Sequence, residues 1–145
     1  MRRSILVAAS ALLVAWPYAG CGRDEDPLEG FAGRDRAVAA TVLAYGTAAR
    51  TGDAKAVCDD ILARAAKAPL GRECVRRVTT ALRGVTQHRI DVVAVRFEGD
   101  TAIATVVTGA GKSPRSGALA LVQEDGLWRI ARVGPLPPPG ADAGS

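Results

Sequence analysis

The chain has 145 residues, of which 48% are hydrophobic, 4% aromatic and 23% charged, with a formal net charge of +4. This length supports one modest domain, and an apolar share built largely from Ala and Val leaves it a core of narrow stability. The basic residues after the first few positions are scattered, with Arg76 and Arg77 the adjacent pair, which indicates a solvated helix face. Scattered charge and few aromatic side chains argue against nucleic-acid binding.

Met1 to Cys21 has the layout of a secretory signal peptide. Arg2 and Arg3 are followed by an uncharged apolar run over residues 5–16 and by small residues before Cys21;. The alternative is a membrane-spanning helix, but a span needs about 20 apolar residues and Pro17 interrupts this one. The basic start also resembles a twin-arginine export signal, with an ordinary export signal as the alternative.

The residues that precede the first cysteine, "YAGC", resemble the bacterial lipobox. In that motif small residues such as Ala19 and Gly20 precede a cysteine that is acylated on sulfur and becomes the new N-terminus. The resemblance implies that Cys21 carries a diacylglycerol with acyl chains such as palmitate. Two chains suffice for stable anchoring, so we expect an extracytoplasmic protein held to the cell membrane by its lipid.

The composition predicts two flexible segments around a central domain. Residues 22–33 contain Gly, Pro and four acidic side chains, which is typical of a flexible tether;. Residues 135–145 ("PLPPPGADAGS") are too rich in Pro and Gly to pack, and we expect a disordered tail;. The domain itself is predicted to span residues 34–134.

Three helices are predicted in the first half of this domain. The first spans about residues 35–50, because apolar residues recur there every three or four positions. Gly52 suits a C-terminal cap, and Asp53 suits the N-cap of a second helix. A break at residues 68–71 precedes a third helix at 72–83. The apolar face of the first helix consists of Val38, Val42, Tyr45 and Ala49.

After Gly84 the apolar period changes to two, which predicts four strands. They cover residues 89–97, 101–108, 117–124 and 127–133. Gly99-Asp100 and Asp125-Gly126 have the composition of two-residue hairpin turns. These turns place Phe97 opposite Ala102, Val95 opposite Ala104, Val93 opposite Val106 and Leu121 opposite Ile130, with Leu119 and Trp128 on the side of the last pair. Helices followed by antiparallel strands predict an α+β domain with the helices on one face of the sheet.

Three stretches in this order resemble a known family: "VLAYGTAARTGDAKAVCDDI", "VRFEGDTAIATV" and "EDGLWRI". They are similar to nuclear-transport-factor-2-like domains of small, especially actinobacterial, lipoproteins, over about residues 34–133. The resemblance implies three helices against a curved four-stranded antiparallel sheet, forming a cone with a pocket. That fold hosts SnoaL-like cyclases and ketosteroid isomerases as well as non-catalytic binding domains, so the fold does not settle the function.

Enzymes of this fold place Asp, His or Tyr inside the pocket as acid and base. This chain offers isolated groups instead, and we assign no catalytic residue. Tyr45, His88 and Trp128 are candidate pocket residues, although Tyr45 also fits a core position and His88 an exposed strand start. One histidine and two cysteines at positions 58 and 74 match no zinc spacing, so we expect neither a metal nor a cofactor.

Export would place Cys58 and Cys74 in an oxidising compartment, where we expect them to form a disulfide; two buried thiols are the alternative. The loop of about 15 residues corresponds to about 3 kcal/mol of stabilisation. A straight second helix that reached Pro69 would hold the sulfur atoms too far apart. The prediction is therefore that this helix ends near residues 63–66 and that the chain turns back.

These observations predict a lipid-anchored, non-catalytic domain that binds a small apolar ligand or an envelope protein. A SnoaL-like pocket enzyme and a purely structural accessory protein are the alternatives. An open apolar cavity with Tyr45, His88 or Trp128 pointing into it would favour ligand binding or catalysis. An interior filled with Val and Ala side chains would favour an interaction role.

Overall fold

The computed structural model describes residues 26–83, 89–109 and 114–134. Cys21, His88, the leader and the tail from Pro135 lie outside the described residues, and what the sequence predicts for them stays a prediction. Within the described residues, helical segments precede one four-stranded antiparallel sheet. The α+β class predicted from the sequence is confirmed.

Helix α1 spans Gly33–Thr51 and ends where its sequence predicts. Gly52 adopts the left-handed conformation with φ of 72°, and its N–H donates to the carbonyl oxygens of Ala48 and Ala49. The Asp53 carboxylate then accepts a hydrogen bond of 2.9 Å from the Ala56 N–H. Both predicted caps are confirmed, and they set the sharp turn between α1 and the next helix.

The residues just before α1 make defined contacts, although the sequence placed them in the flexible tether of residues 22–33. A turn covers residues 27–30. The Arg36 guanidinium donates to the Asp26 carboxylate at 2.8 Å and to the Leu28 carbonyl oxygen at 3.0 Å. The composition of this segment contained no sign of these contacts, because they depend on an arginine one turn inside the helix.

The second helix begins as α2 (Ala54–Ala56) and continues as a π-helical turn at Val57–Ile61. It ends earlier than the predicted residues 63–66. The reason is a contact with the sheet: Leu62 is extended and forms a parallel bridge with Ile130, and the Ala63 N–H donates to the Ile130 carbonyl oxygen at 2.9 Å. Pairing with a strand edge therefore stops the helix.

The chain then turns back through short helix α3 (Arg64–Lys67), a 3₁₀ turn at Gly71–Glu73 and helix α4 (Cys74–Leu82). Cys58 in the π-helical turn forms a disulfide with Cys74 at the start of α4, with Cα atoms 6.1 Å apart. The predicted pairing of the two cysteines is confirmed. The early end of the second helix is what brings the two cysteines within reach.

The sheet consists of β1 (Ile90–Glu98), β2 (Thr101–Thr108), β3 (Arg115–Glu124) and β4 (Leu127–Gly134), in the order of the chain. Asp125 and Gly126 both have positive φ, 54° and 78°, as a type I′ hairpin turn requires;. Gly99 has φ of 59° at the first central position of the other predicted turn.

Most of the predicted register is confirmed near these turns. Phe97 pairs with Ala102, Val95 with Ala104 and Leu121 with Ile130. The predicted pairing of Val93 with Val106 is wrong, because a β-bulge between Val92 and Ala94 shifts the register and pairs Val92 with Val106. Val93 is consequently 59% exposed, since one inserted residue moves a side chain to the other face;.

The core lies between α1 and one face of the sheet. Helix α1 contacts β1, β2 and β4, and it approaches β1 so closely at Gly46 that a Cβ atom there would stand 3.3 Å from the Ile90 Cβ atom. Leu119 and Trp128 are both buried on the helix-facing side, as predicted. The largest fully buried side chains are Leu119, Leu121, Ile130, Val38, Val42 and Val57.

Candidate binding cavity

A cavity of about 270 Å³ lies between α1 and one end of the sheet. It forms where β2 ends, β3 begins and β4 ends, on the side of the sheet that faces the helices. Apolar side chains and backbone line most of it. The lining residues are Tyr45, Ile90, Val106, Thr108, Ser116, Gly117, Ala118, Leu119, Val133 and Gly134.

Small residues leave this end of the core unfilled. Gly117 pairs with Val106 and is two positions before buried Leu119, so a side chain there would point toward the helices;. A Cβ atom at Gly117 would lie 3.5 Å from the Gly134 carbonyl oxygen and 3.8 Å from a Val106 methyl group, which are ordinary contacts. Space for a larger side chain is therefore present and left open.

A second bulge shapes the same end of the sheet. Leu121 pairs with Ile130, but Ala120 pairs with Arg132, so Ala131 is the extra residue in β4. The shift returns Val133 to the position opposite Leu119, where it lines the cavity and is 60% exposed. An exposed valine beside an open apolar space is a position that a bound apolar molecule would cover.

Tyr45 is the predicted pocket residue that lines this cavity. It extends from α1, is half-buried and packs against the core. Burial raises the pKa of the Tyr45 hydroxyl above its ordinary value of 10.0, so the group is neutral at physiological pH. A neutral phenol can donate one hydrogen bond to a ligand and accept another.

The other polar side chains of the lining are hydroxyls. Thr108 donates from its hydroxyl to the Arg115 carbonyl oxygen at 3.4 Å, and Ser116 is exposed at the start of β3. Among the described lining residues there is no Asp, Glu, His, Lys or Arg. The described part of the cavity therefore contains no acid–base pair and suits an uncharged molecule.

Trp128 lies elsewhere in the core, against Phe97, with the two ring centroids 5.8 Å apart. The Arg34 guanidinium stacks 4.1 Å from the centre of the Phe97 ring and 5.8 Å from that of Trp128. Phe97 and Trp128 are close to the two hairpin turns. The stack therefore lies at the turn end of the sheet, and the cavity lies at the opposite end of the same strands. His88 and Cys21 lie outside the described residues.

A larger depression of about 470 Å³ has a different character. It is lined by Asp26, Pro27, Glu29, Leu43, Arg89, Asp91 and Val92. Three of its charged groups have neighbours of opposite charge: Arg36 donates to Asp26, which lowers the pKa of that carboxyl, and Arg89 lies 4.0 Å from Asp91. We therefore take the smaller apolar cavity as the candidate site.

Over residues 26–83, 89–109 and 114–134, no three or more His, Cys, Asp or Glu side chains are grouped so that they could hold a metal ion. None of the helices described has both the length and the hydropathy that a membrane span requires.

Comparison with known proteins adds no relative: no family model, no curated protein and no solved structure matches this chain. The resemblance seen in the sequence is therefore carried forward as a proposal.

The sequence indicated Tyr45 as a pocket residue but did not indicate the other residues that line the cavity. Ile90, Val106 and Leu119 were recognised as strand positions, and their part in a cavity depends on how far α1 stands from the end of the sheet. Gly117 offered the one usable signal, since glycine inside a strand often marks a close approach or an unfilled space.

Proposed function

We propose that this protein is a lipid-anchored extracytoplasmic domain that binds a small, uncharged, largely apolar molecule and performs no catalysis. The observation that carries the proposal is the apolar cavity beside Tyr45, with hydroxyl groups as its polar side chains. At about 270 Å³ it lies just below the size of about 300 Å³ at which sites for drug-sized ligands begin;. A compact molecule with one or two hydrogen-bonding groups fits that volume and that lining.

The cysteine arrangement supports the cellular location. The disulfide between Cys58 and Cys74 suits an oxidising compartment and leaves Cys21 as the third cysteine of the chain;. Cys21 follows directly on the apolar leader, where a lipidated cysteine belongs. We propose that diacylglycerol on Cys21 anchors the protein in the cell membrane.

The order of elements supports a nuclear-transport-factor-2-like cone as the fold. Helices that precede a four-stranded antiparallel sheet, and a cavity between α1 and the sheet, are what the sequence resemblance implies. A SnoaL-like enzyme would need an acid–base pair in this cavity, and the described lining supplies Tyr45 alone as an ionisable group. This favours binding over catalysis.

A second candidate function is docking to an envelope protein through the other face of the sheet. That face presents half-buried apolar side chains where the helices do not pack. They include Ile103, Val107, Ala120 and Val122. In this case the protein would act as a structural accessory, and the cavity would stay empty.

Native mass spectrometry of the protein extracted from its own membrane tests these proposals together. The anchored binding domain predicts a diacylglycerol mass on Cys21, two hydrogens fewer than the reduced chain, and a small neutral molecule that dissociates on activation. An unmodified full-length chain would contradict the anchor. A ligand-free chain bound to a second protein would favour the docking function.

A further inference from the structure

Helix α4 presents a strongly basic surface to solvent. Between residues 72 and 83 the chain has four arginines and one acidic side chain, Glu73, which amounts to +3 of the net charge of +4. All four arginines are exposed. The basic residues look scattered along the sequence, but these four arginines are concentrated around one helix. We call Arg72, Arg76, Arg77 and Arg83 the basic face.

The helical period gathers most of this charge on one stripe. Cys74, Val78 and Leu82 point inward and pack in the core. Arg76 projects from the opposite side of α4. Arg72, in the 3₁₀ turn before the helix, and Arg83, at its C-cap, are four and seven residues away, spacings that favour the same side;. The residues between them on that side are Thr79 and Thr80, which are short and uncharged.

Ion pairs do not neutralise the basic face. Glu73 forms ion pairs with both Arg76 and Arg77, at 2.5 and 3.2 Å, so one negative charge is shared between two positive ones. Both arginines are more than half exposed in this arrangement. Surface ion pairs of this kind contribute little and leave the local potential positive.

An apolar side chain lies at the edge of the same surface. Val75, in the first turn of α4, is 45% exposed. Helix α4 packs against α2 and the π-helical turn, which leaves its outer side to solvent. A cluster of arginines held close to a membrane is attracted to anionic headgroups.

We propose that the basic face of α4 rests on the anionic headgroups of the membrane that holds the lipid on Cys21. The inference depends on the anchoring part of the proposed function and is independent of the cavity. Asp26, the first described residue, is five residues from Cys21, and that length of chain spans at most about 18 Å. The anchor therefore keeps Asp26 within about 18 Å of Cys21, which allows the domain to reach the layer of about 10 Å in which membrane charge acts. Attraction to lipid then orients a domain that is already at the surface.

The test uses the full chain on vesicles of pure phosphatidylcholine and on vesicles that also contain phosphatidylglycerol. Flotation with the neutral vesicles measures anchoring. Reaction of arginines with phenylglyoxal, located by peptide mass spectrometry, measures which surface faces lipid. We expect Arg72, Arg76 and Arg83 to lose at least about fivefold in reactivity on the anionic vesicles alone, as the charge contribution per residue implies. Exposed Arg115 and Arg132 should be unaffected.

A charge-neutral variant separates attraction from simple crowding. Arg72→Gln with Arg76→Gln should restore the reactivity of Arg83 on anionic vesicles, and the control pair Arg115→Gln with Arg132→Gln should leave Arg83 protected. Equal reactivity of Arg83 on both vesicle types would overturn the inference. So would equal protection by a short DNA duplex without vesicles. If the protein failed to float with neutral vesicles but its arginines were still protected on anionic ones, the lipid anchor would be overturned. The attraction of the basic face to anionic lipid would stand.

Discussion

Cys58 and Cys74 join the π-helical turn to the first turn of α4, and this disulfide depends on the break in the second helix at Ile61. Both cysteines are buried in the core cluster, at 3% and 8% exposure. The bridge therefore holds a short helical region, which packs few large side chains, against a core built mainly from Val, Leu and Ala.

Removing the disulfide should destabilise the domain substantially. We expect Cys58→Ala with Cys74→Ala to lower the free energy of unfolding by about 3 kcal/mol, because the unfolded chain loses the constraint of a loop of about 15 residues. Urea unfolding followed by circular dichroism measures the change. Cys21→Ser serves as the control and should leave the free energy of unfolding unchanged. An unchanged midpoint in the double variant would show that the bridge does not form.

Arg129 connects the π-helical turn to β4. Its guanidinium donates to the carbonyl oxygens of Asp59 and Asp60, at 3.1 and 2.5 Å, where the helical bonding ends. Arg129→Gln should cost about 1 kcal/mol, because two terminal carbonyls at a solvent-exposed position lose their donor and are left to water;. Arg132→Gln, on the exposed part of the same strand, should change the free energy of unfolding by less than about 0.5 kcal/mol. Equal effects in chemical denaturation would disprove this role.

The bulge in β1 predicts opposite outcomes for two neighbouring valines. Val92 pairs with Val106 and packs against the core, whereas Val93 is 59% exposed. Val92→Ala should therefore lower the free energy of unfolding by about 1.5 kcal/mol, and Val93→Ala by less than about 0.5 kcal/mol. A larger loss of stability for Val93→Ala than for Val92→Ala, in thermal or urea unfolding, would contradict the bulge and support the unbulged register that the sequence predicts.

The difference between the predicted and observed registers has a local origin. Asp125-Gly126 and Gly99 determine their own φ angles, so the pairs beside the turns follow from residue type. Farther along β1, alternation alone cannot distinguish Val92 from Val93, because both are β-branched and apolar. The position of the bulge depends on which valine packs against α1, and that is a tertiary contact.

The cavity was predictable only in part for a related reason. Helical spacing placed Tyr45 on the inner face of α1, and its half-buried position agrees with that. Whether a core is filled or open depends on distances between elements, which neither composition nor period records. The basic face of α4 was likewise hidden, because Arg72, Arg76 and Arg83 are four to eleven residues apart in the sequence and come together on one side only when the chain is helical.

Tyr45 should make stability depend on alkaline pH. Burial raises its pKa above 10.0, so the folded chain holds the phenol proton more tightly than the unfolded chain does. This contribution is fully present below about pH 10 and is lost as the pH rises through the raised value. Of the two tyrosines, Tyr18 precedes Cys21, so Tyr45 is the one tyrosine of a chain that begins at Cys21. Tyrosinate absorbance should then titrate above pH 10, and an unshifted midpoint would contradict the burial of the hydroxyl.

The measurement that tests the central claim most directly compares retained ligand in three forms of the protein from its own membrane. Gly117→Val adds a side chain that points into the cavity, and Ala120→Val makes a matched change on the opposite face of β3. Native mass spectrometry should find the same small neutral molecule on the wild type and on Ala120→Val, with at least about a tenfold loss on Gly117→Val. Equal ligand on all three forms, or none on the wild type, would contradict a ligand-binding role for the cavity.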